Sequence, residues 1–172
     1  VGMISISKNI NDIKPRLKVR IAFSDTRKLY FICEKIKKMF DLETPAFEID
    51  QFLIKDNYLK KSVLENKGIR VPGAWDSFEL CVRAILGQQI SVKGATTISG
   101  RIVEKYGQVY NGPFLDKKQK AWYVFPDASI LQDADFKDTG LTKTRINTIK
   151  LLATAVQQKK IDFEQYLDSD IM

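Results

Sequence analysis

Two consecutive glutamines, Gln88 and Gln89, are the residues whose type and setting best suit a chemical task in this sequence. They stand in Gly87-Gln88-Gln89-Ile90, at a tight joint between a helical stretch ending at Leu86-Gly87 and another beginning at Ser91. Each amide offers both donors and an acceptor, so a corner carrying two of them can satisfy varied polar edges. Two readings stand open. Polar side chains at a helix end ordinarily serve as caps. A corner so short can also act as a probe that enters a groove, fills the space left by a displaced base and bonds the abandoned partner.

Other chemistry is narrowed by what the chain contains. It has 172 residues, with no histidine, which removes Ser-His and Cys-His nucleophile pairs, an imidazole base and most metal sites. Cys33 and Cys81 lie far apart in apolar helical patterns and form no Cys-x-x-Cys pair, so reduced core thiols are expected. Carboxylate, lysine or pure binding chemistry remains. With 28 Lys plus Arg against 21 Asp plus Glu, the net charge of +7 favours an anionic partner such as nucleic acid. No run approaches the roughly 18 apolar residues of a membrane span, and Val1-Gly2-Met3 opens no signal sequence. A cytoplasmic protein with no membrane partner is therefore expected.

The elements that must hold the corner are legible as periodicities. Leu17, Val19, Ile21 and Phe23 alternate with Lys18, Arg20 and Ala22, the period of a half-buried strand, and Ile4 and Ile6 suggest its antiparallel partner across a turn at residues 9–15. Two strands do not stand alone. A helix over residues 25–42 is expected to pack on them, with Leu29, Ile32, Ile36, Met39 and Phe40 inward and Arg27, Lys28, Glu34, Lys35, Lys37 and Lys38 facing solvent. Part of the sheet is expected to be missing from the chain.

From Pro45 onward the signals are helical, beginning with one or two turns over residues 47–53. Asp76, three residues before Glu79, is expected to cap a helix with Trp75, Phe78, Val82 and Ile85 on its apolar side, ended by Gly87 in a left-handed conformation. Ser91 should cap the next, with Ala95, Ile98, Ile102 and Tyr106 buried and Gly107 as its stop. Gly94 inside it suggests close helix packing. A loop is expected over residues 110–125, including Lys117, Lys118, Lys120, Trp122, Tyr123 and Phe125. Asp127 should cap a short helix through Leu131 and Ala134. Thr142 should cap a longer one carrying Ile146, Ile149, Ala153 and Val156, and another helix starts at Ile161. Asp133, Asp135 and Asp138 occupy a polar turn.

The run from Val71 to Gly107, "VPGAWDSFELCVRAILGQQISVKGATTISGRIVEKYG", closely resembles the AlkA-type DNA glycosylases of the helix-hairpin-helix superfamily. The family pattern "LPG-x-x-D-x-FE-x-x-VRAILGQ-x-x-S" stands here as Val71-Pro72-Gly73, Asp76, Phe78-Glu79, Val82 to Gln88 and Ser91. The likeness extends more weakly to "KIKKMFDL", "VFPDASIL" and "TGLTKTRINTIKLLATAV", and so covers nearly the whole chain. It implies an α+β, mostly helical fold: a remnant of a small antiparallel sheet with a helix over residues 1–45, then a helical glycosylase domain over 46–172.

The resemblance further implies base-excision repair of double-stranded DNA containing alkylated bases such as 3-methyladenine. Such an enzyme flips the damaged nucleotide and hydrolyses its N-glycosidic bond, with no metal or organic cofactor, in a protein that is monomeric when intact. A carboxylate stabilises the oxocarbenium-like sugar. By position, Gln88 and Gln89 fall on the corner that enters the duplex, with glutamine where the best-known member has a leucine wedge. Ser91, Lys143 and Arg145 join them as candidate DNA contacts. Arg83 serves either as structural anchor or as phosphate contact. Trp75, Trp122, Tyr123 and Phe125 serve either as core or as base-stacking surfaces.

The family's Leu/Phe-Pro-Gly-Ile-Gly type hairpin and its catalytic aspartate are expected beyond Met172. No catalytic residue is therefore assigned in this chain, which is expected to be a fragment trimmed at both ends and inactive alone. The competing readings are a non-catalytic DNA-binding or regulatory module and a helical interaction domain with solvated basic faces.

Overall fold

The protein is described by a computed structural model over residues 2–9, 16–113 and 121–163. In chain order these form strands β1 (Met3–Asn9) and β2 (Arg16–Ala22), then helices α1 (Leu29–Met39), α2 (Ala46–Leu53), α3 (Lys60–Glu65), α4 (Ser77–Gly87) and α5 (Val92–Tyr106). Strands β3 (Gln108–Tyr110) and β4 (Trp122–Val124) and helices α6 (Ala128–Leu131) and α7 (Lys143–Gln157) follow. The fold is α+β and mostly helical, as the resemblance implies, with two small antiparallel strand pairs among the described residues, the first of which the periodicities predict. Residues 10–15 of the expected turn, Lys117, Lys118, Lys120 and residues 164–172 of the expected last helix lie outside the described residues.

The chain divides into two compact units, Asp25–Trp75 and the remainder, Val1–Ser24 with Asp76–Met172. In the first unit the helix expected over 25–42 is shorter. Asp25 instead caps a single 3-10 turn, Thr26–Lys28, its carboxylate accepting from the Arg27 N–H at 3.1 Å, and α1 follows. Ile32 and Ile36 are buried as their spacing predicts, whereas Leu29 is 48% exposed. Lys35 departs from the expected solvated face: its ammonium lies 5.1 Å from the centre of the Trp75 ring and 5.6 Å from that of Phe31. A cation over an aromatic face gains from the ring quadrupole while its stem covers apolar surface. The loop leading to Gly73 is tied to the end of α1, with the Gly73 N–H donating to Met39 O at 2.9 Å and Arg70 Nη1 donating to Asp41 O at 2.6 Å.

The second unit holds the principal core. Phe78, Val82 and Leu86 of α4, Ile102 of α5, Leu131 of α6 and Ile149 and Ala153 of α7 form one buried cluster with Ala128, Ala134 and Phe136. Leu86 is fully buried beside the expected positions, so α4 buries its last turn as well as its middle. In the hairpin, β1 pairs antiparallel with β2 from Met3↔Ala22 to Asn9↔Arg16. Val19 and Ile21 are half-buried and Arg20 exposed, as the alternation predicts.

The loop expected over 110–125 is in part a second antiparallel pair, with Gln108 opposite Val124 and Tyr110 opposite Trp122. Its strands are too short for alternation to reveal them. Gly107 ends α5, but its φ of −78° is not left-handed. A Cβ there would stand 2.5 Å from both Val103 O and Val124 O, so glycine is required by the close passage of β4.

The polar turn after α6 is anchored to α5. The Asp135 carboxylate accepts from the Lys105 ammonium at 2.7 Å, from the Tyr106 hydroxyl and from the Lys137 N–H at 3.0 Å. The Tyr106 oxygen in turn accepts from the Phe136 N–H at 2.8 Å, while the two rings pack with centroids 5.7 Å apart. Donation from Lys105, then Tyr106, then the backbone holds the Asp135 carboxyl well below the usual aspartate range. A lowered folded-state value stabilises the protein above the unfolded value of about 3.9, and that contribution disappears as pH falls through the folded one. Asp135→Asn should therefore lower the thermal midpoint by a constant amount between about pH 5 and 7, with the gap to wild type narrowing as pH drops below about 4. Parallel thermal melts at stepped pH check this, and a gap independent of pH would contradict the network.

Candidate nucleic-acid interface

The corner is produced by two helices whose ends are each fixed by a side chain. Asp76 accepts from the Glu79 N–H at 2.7 Å and starts α4, while Ser91 Oγ accepts from the Gly94 N–H at 3.1 Å and starts α5. Such caps each contribute about 1 kcal/mol by satisfying a helix-start donor that would otherwise lack a partner. Residues 88–91 alone join the helices, and Gln88 and Gln89 are both exposed.

The left-handed residue expected at Gly87 is a little further along the chain. Gly87 remains helical with open space around its Cβ position, Gln88 turns extended at φ −61° and ψ 125°, and Gln89 takes φ 55°. A side chain in that region costs about 1–2 kcal/mol relative to the right-handed form. Such a conformation persists only where its surroundings over-determine it, and such residues concentrate at functional positions.

The start of α7 reaches this corner. Arg145, half-buried as a residue, donates through Nη2 to the backbone oxygen of Gln88. This supplies a partner to a carbonyl at the α4 C-terminus and puts a cation at the negative end of the helix dipole, worth about 0.3–1 kcal/mol at a surface site. Thr142 caps α7, its hydroxyl oxygen accepting from the Arg145 N–H at 3.4 Å. The preceding turn is pinned by Arg101 Nη1 donating to Thr139 O at 3.3 Å. Gly140 has φ 86°, and a Cβ on it would lie 3.0 Å from Arg101 Nη1, so glycine is favoured there on both counts.

Of the residues expected to touch DNA, Gln88, Gln89, Ser91 and Arg145 thus come together at one corner. Lys143, the first residue of α7, is exposed and has no ion pair among the described residues. Arg83, left between two roles by the sequence, is exposed and makes contacts within the protein. Its Nε donates to Glu79 at 2.7 Å, and its guanidinium lies 5.5 Å from the centre of the Phe125 ring. Glu79 is thereby spent on Arg83, so only the aspartate half of the capping box forms. Gly94 makes room for its own capping turn and not for a neighbouring helix, since a Cβ on it would stand 3.3 Å from Ser91 Oγ. Trp122 is exposed, Tyr123 and Phe125 half-buried.

Beside the corner lies a cavity of about 240 Å³ between α4 and α5, lined by Arg83, Gly87, Ile90, Ala95 and Ser99 among others, with no aspartate or glutamate among the described residues that line it. The buried Ser99 hydroxyl at its wall makes no hydrogen bond. Among the described residues, no group of three or more Cys, Asp or Glu side chains is placed to hold a metal ion. The corner therefore offers amide and cationic binding groups. The bond from Arg145 to the corner has no signal in the sequence, where only the position of that arginine near a helix start is legible.

The family model of the AlkA N-terminal domain matches residues 1–76. A Mycobacterium tuberculosis protein named probable bifunctional transcriptional activator/DNA repair enzyme AlkA is 30% identical over 141 residues, which are 82% of this chain and 28% of that protein. The DNA-3-methyladenine glycosylase 2 of Escherichia coli is 35% identical over 74 residues, 43% of this chain and 24% of its own. The chain thus spans about a quarter of the length of these curated relatives.

Two solved structures share the fold. The 3-methyladenine DNA-glycosylase of Archaeoglobus fulgidus superposes with a TM-score of 0.70 at 21% identity, over 87% of this chain and 50% of that one. The Clostridium acetobutylicum 8-oxoguanine glycosylase/lyase, solved with double-stranded DNA containing cytosine opposite 8-oxoG, does so at 0.68 and 24%, over 94% and 51%. With the family model on its N-terminal part, relatives of that name along most of its length and the fold of solved glycosylases over most of it, the chain is similar to the AlkA-type DNA glycosylases.

Proposed function

We propose that this chain is the duplex-probing part of a base-excision repair glycosylase that removes alkylated purines such as 3-methyladenine. Its partner is double-stranded DNA, and no cofactor takes part. Gln88 and Gln89 enter the duplex and occupy the gap left by the flipped nucleotide, with Gln89 bonding the orphaned base. Ser91 and Lys143 contact the neighbouring backbone. The observation that carries the reading is the pair of exposed amides on a capped corner whose backbone holds a non-glycine residue at φ 55°.

Unstacking a nucleotide costs a few kcal/mol, and a side chain already fixed where the gap opens offsets part of that without further ordering entropy. The reading places the protein in the cytoplasm, monomeric when intact. Among the described residues no helix is long and apolar enough to cross a membrane. The chain by itself is proposed to be inactive. Among the described residues its cavity lacks a lining carboxylate, and its sequence contains no Pro-Gly-Ile-Gly run of the kind that precedes the family's aspartate.

Methylated DNA separates this reading from a module that only binds. The chain should release no 3-methyladenine, and the same chain extended by a segment carrying the family's hairpin and aspartate should release it. Salt-sensitive duplex binding without release in either form would favour the non-catalytic reading. Glutamine-to-alanine substitution tests the corner. Gln89→Ala should weaken binding to a duplex carrying an abasic-site analogue about 3- to 10-fold, the worth of one or two hydrogen bonds, with little change for intact duplex. Equal losses on both duplexes, read by fluorescence anisotropy, would retire the plug.

A further inference from the structure

We infer that Arg145 is a positioning residue for the corner, acting through the backbone of Gln88 and not through a DNA phosphate. The inference rests on the plug reading proposed above. An arginine at the start of a helix in a basic protein would ordinarily be counted as a phosphate contact, and the geometry points elsewhere.

Arg145 is half-buried as a residue and spends Nη2 on Gln88 O. That carbonyl belongs to the peptide linking Gln88 to Gln89, so a donor on it fixes the orientation of the peptide that carries Gln89 into its left-handed conformation. Without the donor, the carbonyl could turn to water, and Gln89 would relax toward the right-handed region that its Cβ favours. The amide at its tip would then sweep a range of positions, and the entropy of ordering it would fall on the binding step.

The brace is itself held at both sides. Thr142 fixes the first turn of α7 through the Arg145 N–H, and Ile149 and Ala153 bury the same helix in the core. Arg145 thus couples the hydrophobic core to the corner. Lys143, exposed at the first position of the same helix, is the residue of this segment placed to meet phosphate.

Two measurements test this, and the first needs no DNA. In 15N relaxation of the full chain, residues 88–90 should have backbone order parameters near the rigid value of about 0.85, dropping toward about 0.6 in Arg145→Ala while α4 and α5 keep theirs. Unchanged order at the corner would overturn the inference whatever the chain binds. If Arg145→Ala does not fold, Arg145→Lys keeps a cation able to stabilise α4, and its poorer reach should still loosen residues 88–90.

The second measurement is anisotropy with an abasic-analogue duplex and its intact counterpart across a salt series. Arg145→Ala should lose about 3- to 10-fold on the gapped duplex only, leave the salt slope unchanged, and add nothing in a Gln89→Ala background. A uniform loss on both duplexes, with the slope of log K against log salt reduced by about 1, would identify a phosphate contact and overturn the positioning role. Should the corner loosen in solution while neither wild type nor Gln89→Ala distinguishes the two duplexes, the plug reading fails and the structural role of Arg145 stands.

Discussion

The arrangement depends on one peptide group, the Gln88–Gln89 linkage, held between a helix that has just ended and a guanidinium from another helix. A helix terminus leaves carbonyls without partners, and a residue with a side chain resists the left-handed region. Both costs fall on the same short segment here. They are met by Arg145 on the Gln88 oxygen, by the caps at Asp76 and Ser91, and by the burial of Leu86 and Ile102 in the helices that carry the corner. The exposed amides are consequently carried on a short joint between two capped helices.

The same principle reorders the significance of the positive charge. A net charge of +7 draws the chain toward anions, but several of its cations are already engaged. Arg83 is paired with Glu79 and lies over Phe125, Lys105 is bonded to Asp135, Arg101 reaches Thr139 O, and Lys35 lies near both Phe31 and Trp75. Several of these contacts tie helices to turns. Net charge therefore describes the long-range field that a duplex would feel, while the residues placed to touch it are fewer than the composition suggests.

Much of this fold is legible in the sequence because helix periodicity and capping are local. Asp76, Ser91, Asp127 and Thr142 each cap the helix they precede, and Ile102, Ile149 and Ala153 are buried as their spacing requires. What stays illegible is what depends on contacts distant in sequence. The β3–β4 pair is too short to show alternation, and the need for Gly107 arises from the passage of Val124. The hydrogen bond from Arg145 to Gln88 spans 57 positions, so no local pattern records it. Propensity alone places the left-handed residue at Gly87; the structure puts it at Gln89, where tertiary contacts outweigh that propensity.

The glutamine at position 89 also bears on how a gap in the duplex would be filled. The resemblance implies that the best-known member has a leucine wedge at this position, which would act by excluding water and displacing stacked bases whatever their edges offer. An amide buries less apolar surface and must find partners for its donors and acceptor, since leaving them unpaired in a closed space costs about 1–3 kcal/mol each. In the proposed role, Gln89 is therefore useful only if it arrives in register with a base edge, a geometric demand that leucine does not make. A polar plug and a rigid corner go together for that reason: the less a side chain gains from simple burial, the more its binding depends on being held in place beforehand.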